Sequence, residues 1–209
     1  VSLFKLLSDQ HSGAMVALRS QYRMNDDIMR LSNHLVYAGQ LQAGSESVRD
    51  RALVLPRLDA VVDGLGEGWM RRLLRPETKV RLLDTSRRAL GEVGESKHGE
   101  VVKNAYEAQL VVRIVSALMS GGCEAGQIAV VTPYRQQLKL LRSLMVEQES
   151  GKMEQVELLT ADQSQGRDKD VIVVTFTRAN YAPGLDATAN TSASMAAKGD
   201  TDKLPAAAA

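Results

Sequence analysis

Apolar residues recur three and four positions apart between Val102 and Ser120, placing Ala108, Val111, Val112, Val115, Leu118 and Met119 on one face. That period predicts the most regular helix of the chain, stopped by Gly121 and Gly122. Next comes Gln127 to Val131, an almost unbroken apolar run of the kind found in strands buried on both faces of a parallel sheet. It ends in Thr132, Pro133, Tyr134, Arg135 and Gln136, after which Leu138, Leu141 and Met145 restart a helical period. Gln155 to Leu159 and Val171 to Phe176 read as two more strands. Toward the amino end, residues 1–8 read as a short helix, Ala14 to Leu18 as a strand, and Met24 to Tyr37 as a helix burying Ile28, Leu31 and Leu35. Asp26 and Asp27 fall in the first turn of that helix, where the backbone dipole favours negative charge. Lys79 to Asp84 predicts a further strand and Thr85 to Gly99 an exposed loop, while Ser47 to Leu58 is too weakly patterned to assign. Alternating strands and helices predict an α/β fold, with a mostly parallel sheet and helices on both faces.

Two stretches fall outside that alternation. Gly64, Gly66 and Gly68 have the spacing of a dinucleotide fingerprint, but no clear strand precedes them and no apolar-striped helix of adequate length follows, so the match is refused. Residues 181–209 collapse into Ala, Thr, Ser, Gly and Asp, a composition that cannot bury a core, so a disordered tail is expected after a folded domain spanning 1–180. An apolar fraction of 44% over 209 residues supports one α/β domain. The 26 Lys and Arg nearly balance 25 Asp and Glu, so any nucleic-acid contact must come from a local patch. The lone Cys123 excludes an intramolecular disulfide or an all-cysteine metal site within this chain, and suits a reducing, intracellular compartment. No apolar run approaches the ~20 residues that span a bilayer, and no membrane partner is expected. The amino end, VSLFKLLSDQ, has no initiator Met and reads as a cut edge.

In a parallel sheet the strand ends gather polar residues, and three junctions here carry distinct sets. The first is Gln21, Tyr22 and Arg23: an aromatic face able to stack on a base beside a guanidinium able to fork onto phosphate oxygens. The second is Thr132, Pro133, Tyr134, Arg135 and Gln136 at a helix N-terminus, whose unpaired N–H groups favour an anion such as a nucleic-acid phosphate. The third is the turn Thr160 to Asp170, where Gly166 allows close backbone approach beside Gln165, Arg167 and Asp168. Each set also has a plain structural account. Arg23 can pair with Asp26 or Asp27, Tyr22 can be a core aromatic, and Thr132 can cap the following helix.

Together QYRM (Gln21 to Met24), VVTPYRQQ (Val130 to Gln137) and TADQSQGRDKDVIVVTFTRAN (Thr160 to Asn180) resemble the consecutive motifs of the second RecA-like domain of superfamily-one helicases. SLFKLL at the start, LSNHLVYAGQLQAGSESV and NAYEAQLVV bring the resemblance nearest to the eukaryotic replication helicase/nuclease family, over residues 1–180. The resemblance implies a RecA-like P-loop NTPase fold lacking its own phosphate loop. In that family's pattern Tyr22 stacks on adenine and Arg23 is the catalytic arginine finger toward the γ-phosphate of ATP. Gln21, Gln165, Gly166 and Asp168 line the nucleotide edge, and Thr160 with Thr132 to Gln136 hold single-stranded DNA. It further implies ATP with Mg²⁺ held mainly by a first RecA-like domain, that domain as partner, an iron–sulfur cluster only in a separate nuclease domain, and a nuclear location. No metal site is expected in this chain. It has no G-x-x-x-x-G-K-[ST] loop, and alanine-rich sequence stands where the family's final arginine motif follows Asn180, so it is expected to be inactive alone. Two alternatives stay open: an RNA helicase of the same branch, and a non-catalytic module that binds nucleic acid or protein.

Overall fold

In the computed structural model the first helix, α1 (Leu3–Gln10), begins at Ser2, whose hydroxyl oxygen accepts from the Lys5 N–H at 3.2 Å. The structure describes residues 2–59, 61, 68–85, 96–98, 101–148 and 151–178. These fall into two compact units, Val1–Ala52 with Glu77–Val80 and Leu53–Pro76 with Arg81–Ala209.

In the first unit, β1 (Ser20–Gln21) pairs in parallel with β2 (Gln42–Ala43), Ser20 opposite Gln42 and Gln21 opposite Ala43. Between them α2 (Asp26–Ser32) is capped by Asn25, whose side chain accepts from the Ile28 N–H at 3.1 Å, with Asp26 and Asp27 in its first turn. The helix runs on as a π-helical turn, Asn33–Tyr37, and ends at Ala38 and Gly39, both left-handed. The Asn33 amide then grips Leu41, donating to its carbonyl at 3.0 Å and accepting its N–H at 2.9 Å, which sets the entry into β2. A short helix, α3 (Glu46–Arg49), follows.

The second unit opens with α4 (Gly68–Leu74), which buries Trp69, Met70 and Leu74, and a small antiparallel pair, β3 (Ser96–His98) with β4 (Val101–Lys103). Then comes α5 (Ala105–Ser120), with its N-cap at Asn104. Its exit needs glycine at Gly122 on two counts: φ is +110°, and Pro56 ring carbons lie 2.7 Å from where a Cβ would be. Arg57 caps the same end, donating to the carbonyls of Ser120 at 3.0 Å and Met119 at 3.3 Å. The sheet that follows has the order β6 (Glu157–Thr160), β5 (Ile128–Thr132), β7 (Val171–Val174), all parallel. α6 (Arg135–Val146) joins β5 to β6 as the crossover of a βαβ unit. All five residues of β5 are buried, whereas β7 turns Ile172 and Val174 outward. Val115, Ile128, Val130 and Leu141 are fully enclosed in one core with Met70 and Met145. Each such side chain contributes about 1.5–3 kcal/mol of burial.

An α/β fold with a parallel sheet is therefore present, and the helix and strand expected over 102–131 form within three residues of their expected limits. Several other elements differ. Ala14 to Leu18 is not a strand: Ala14 and Met15 bond back to His11 and Ser12 in a 3-10 turn, no described strand pairs with the segment, and Val16 and Leu18 remain 85% and 88% exposed. Pairing starts only at Ser20. Lys79 to Asp84 likewise forms no strand and is divided between the two units after Val80. The residue that α2 buries is Met29, while Ile28, Leu31 and Leu35 stay exposed, because the helix packs through Met29 against Gln21 and the π-turn resets the period after Ser32. Part of the expected 85–99 loop is strand β3. Gly64, Gly66 and the 181–209 tail lie outside the described residues.

Candidate functional site

The first junction is built by one side chain. Gln21 Oε1 accepts the N–H groups of Arg23 at 2.9 Å and Met24 at 2.6 Å. Its Nε2 donates to the Met24 carbonyl at 2.7 Å and to Met29 Sδ at 3.4 Å. A primary amide has two donors and two acceptor lone pairs, so this one is saturated. Gln21 therefore folds the turn, and Tyr22 and Arg23 project from it, both exposed. Tyr22 is 66% exposed, so it is not a core aromatic, and one side of its ring lies against Gly44.

The second and third junctions meet in the other unit. Thr132 and Thr160 stand opposite each other at the exit ends of β5 and β6. Thr132 is fully buried: its Oγ1 lies 3.2 Å from Thr177 Oγ1 and accepts the Tyr134 N–H at 3.4 Å, so its hydroxyl anchors the loop that follows. From that loop Pro133 and Arg135 are exposed, and Tyr134 and Gln136 half-buried. The Tyr134 side chain does not cap the first turn of α6, so the leading N–H groups have no partner from their own N-cap. After β6, the Thr160 N–H donates to Gln163 Oε1 at 3.1 Å, the Ser164 N–H returns to the Thr160 carbonyl at 3.0 Å, and the turn closes at Gly166. Gln165 and Gly166 are exposed there.

From Arg167 the chain travels back to the entry end of the sheet. Lys169 Nζ donates to the Gly126 carbonyl at 2.6 Å and sits 3.6 Å from Glu157, while Asp170 accepts from Gln127 Nε2 at 2.7 Å. Asp168 stands on this return run, not in the turn with Gln165 and Gly166. The structure thus brings Thr132, Thr160 and their loops together, and holds Gln21, Tyr22 and Arg23 in the separate first unit.

Gly166 has φ +77° and nothing lies within 4 Å of where a Cβ would stand, so only its backbone demands glycine. Gly166→Ala is expected to cost about 1–2 kcal/mol in chemical denaturation, the penalty of a left-handed L-residue. Gly166→Asn should cost clearly less, because Asn tolerates that conformation.

Composition and period did not single out a buried polar network behind the second junction. Asn104 Oδ1 caps the Glu107 N–H at 3.0 Å, and its Nδ2 reaches the Thr177 carbonyl at 3.1 Å. Gln137 and the Asn104 backbone bond reciprocally at 2.8 and 3.0 Å. The Glu107 carboxylate accepts from both Thr175 Oγ1 and the Thr177 N–H. The legible sign was Asn104 three residues before Glu107 at a helix start, a capping spacing. Here the glutamate carboxylate turns to Thr175 and Thr177, just past β7, while its N–H stays capped by Asn104. Among the described residues no three His, Cys, Asp or Glu side chains are grouped to hold a metal. Cys123 is buried, and that burial, with Asp170 and Glu124 nearby, pushes its thiol pKa up, away from reactive thiolate. No described helix is long and apolar enough to cross a membrane.

A family model described as an AAA domain matches residues 1–196. Among curated proteins, the DNA replication ATP-dependent helicase/nuclease DNA2 of Mus musculus is 40% identical over 186 residues, covering 86% of this chain and 17% of that protein. The dna2 helicase/nuclease of Schizosaccharomyces pombe is 36% identical over 185 residues, covering 86% of this chain and 13% of its own length. The helicase/nuclease JHS1 of Arabidopsis thaliana is 34% identical over 183 residues, covering 88% and 13% respectively. The chain therefore spans less than a fifth of the length of each of these relatives.

Proposed function

The chain belongs to the AAA-domain family, and from that premise we propose that it is the carboxy-terminal motor half of an ATP-dependent DNA helicase/nuclease, which translocates on and unwinds DNA in replication and repair. The observation that carries this reading is the clamped turn after β1: Gln21 commits its whole amide to the backbone and to Met29, leaving Tyr22 and Arg23 exposed. An exposed ring next to an exposed guanidinium fits the two ends of ATP, a base and a polyphosphate. Tyr22 stacks on the adenine, and Arg23 places positive charge at the γ-phosphate, where it is strongest in the phosphoryl-transfer transition state. Gln21 contributes by shaping the turn. Gln165 and Gly166 supply nucleotide edge, and Asp168 accepts from the ribose. ATP binding and hydrolysis alternate this domain between closed and open against a first RecA-like domain of the parent, which moves the strand. That partner carries the phosphate loop and most of the Mg²⁺ ligands. An iron–sulfur cluster belongs to the parent's nuclease domain, and the chain alone does not hydrolyse ATP. A nuclear location follows from the same kinship.

Single-stranded DNA lies across Pro133, Tyr134, Arg135, Gln136 and Thr160, with Thr132 holding the loop from below. Contacts of this kind are made to phosphates, so they ignore base sequence and weaken with salt. Arg135→Ala in the parent is therefore expected to weaken binding to oligonucleotides of every sequence alike and to flatten the slope of log affinity against log salt by about 1. Fluorescence anisotropy with DNA and RNA oligonucleotides over a salt series measures both. A loss restricted to one sequence, or an unchanged slope, removes Arg135 from the interface, and tighter binding to RNA replaces DNA as the substrate.

A further inference from the structure

At position 44 the Tyr22 ring, not the backbone of Gly44, fills the room that a Cβ would need. Gly44 is not among the residues with positive φ, so no left-handed backbone calls for glycine there. Yet a methyl group added there would lie 2.3 Å from both Cε1 and Cζ of Tyr22 and 2.8 Å from its Cδ1. Carbon atoms attract one another at about 3.5–4.0 Å, so the ring already occupies the space that a Cβ would need. The pairing of β1 with β2 makes the approach this close. Gln21 lies opposite Ala43, and the Gly44 N–H donates to the Gln21 carbonyl at 2.8 Å, so Tyr22 and Gly44 leave their strands as neighbours. The saturated Gln21 amide then directs the turn so that one face of the ring meets Gly44 while the residue stays 66% exposed.

We propose that Gly44 is a positioning residue whose missing side chain seats the Tyr22 ring flat on β2, so that the ring's open face is held ready for an adenine-type base. This rests on Tyr22 being the stacking residue for ATP, and it adds the residue that sets the ring's position. A seated ring has lost its rotamer freedom before the nucleotide arrives, so binding does not have to order it. A side chain at 44 forces the ring off its seat, and because Tyr22 is largely in solvent the ring can swing away without disturbing the core.

The test uses steady-state ATPase kinetics of the intact parent enzyme, with thermal melting of each variant. Gly44→Ala is expected to raise KM for ATP about tenfold, on the scale of losing one base–aromatic stack, with kcat and Tm unchanged. Tyr22→Ala is expected to raise KM to a similar degree, and Gly44→Ala added to Tyr22→Ala should then change nothing more, because the glycine acts only through the ring. If Tyr22→Ala raises KM while Gly44→Ala does not, the positioning role is overturned and the stacking role stands. Effects that add in the double variant, or a fall in Tm with KM unchanged, likewise overturn it. If Tyr22→Ala leaves KM untouched, the stacking role fails and this inference fails with it.

Discussion

Replacing Arg23 with alanine in the intact parent enzyme is expected to leave ATP binding largely in place while turnover falls about 10³–10⁵-fold, the loss seen when an arginine finger is removed. That corresponds to about 4–7 kcal/mol of transition-state stabilisation at about 1.36 kcal/mol per tenfold. The split follows from the geometry of the turn. Tyr22 and Arg23 stand on the turn that the Gln21 amide folds through the Arg23 and Met24 backbone, so truncating the Arg23 side chain keeps those bonds and is expected to leave Tyr22 in place. An arginine finger acts on charge that develops as the phosphoryl group departs, so in the proposed role the loss should appear in kcat more than in KM. Lysine should rescue poorly, because a point charge cannot reproduce the planar fork. Single-turnover measurements beside equilibrium nucleotide binding separate the two effects. Unchanged turnover would remove the catalytic role from Arg23.

The second large effect is on stability, at Glu107. Its carboxylate is buried and accepts the Thr177 N–H at 2.9 Å as well as the Thr175 hydroxyl. Glu107→Ala leaves both donors buried without an acceptor, at about 1–3 kcal/mol each. It also releases Thr177 from a left-handed conformation, φ +68°, that a β-branched residue avoids unless its surroundings impose it. The expected loss is therefore about 2–5 kcal/mol, which for a chain of this length lowers the melting temperature by roughly 10 °C. Both donors reach the same oxygen, Oε2, so Glu107→Gln with its amide oxygen in that place still accepts both and should retain most of that stability. Denaturant titration measures both variants. A Glu107→Ala stability within about 0.5 kcal/mol of the parent sequence, the range of an ordinary surface substitution, would show that the network contributes little. The same network reaches the candidate interface, since Thr177 bonds Thr132 and Thr132 supports the Tyr134 N–H. Loosening Glu107 should thus be felt at the loop that carries Arg135.

Much of the second unit is legible in the sequence. The period that predicts a helix ending at Ser120 and the apolar run that predicts a buried strand after Gln127 both record burial. Burial is imposed residue by residue along a local element, so it leaves a local trace. The polar junctions are legible as candidates for a related reason, since aromatic, guanidinium and glycine residues clustered at strand ends are uncommon in plain turns. What the one-dimensional pattern lacks is partners. AMVAL at 14–18 has the composition of a strand, but a strand exists only where another chain segment completes its hydrogen bonds, and no described strand pairs with it. Gln21 has the look of a ligand group in the sequence, yet its amide is filled by Arg23, Met24 and Met29.

By itself, then, the sequence determined the α/β class, the helix and strands around β5, and the family to which the chain belongs, because periodicity and motif order are properties of neighbouring residues. Tertiary structure alone decided that Thr132 is buried beneath its loop, that Asp168 lies on the return run, that the Tyr22 ring lies against Gly44, and that Glu107 accepts the N–H of Thr177 in its left-handed turn. Those features depend on contacts between residues far apart in the chain, as with Glu107 and Thr177 at a separation of 70 or Asn104 and Gln137 at 33. No local pattern encodes a bond whose other half is supplied by a different element.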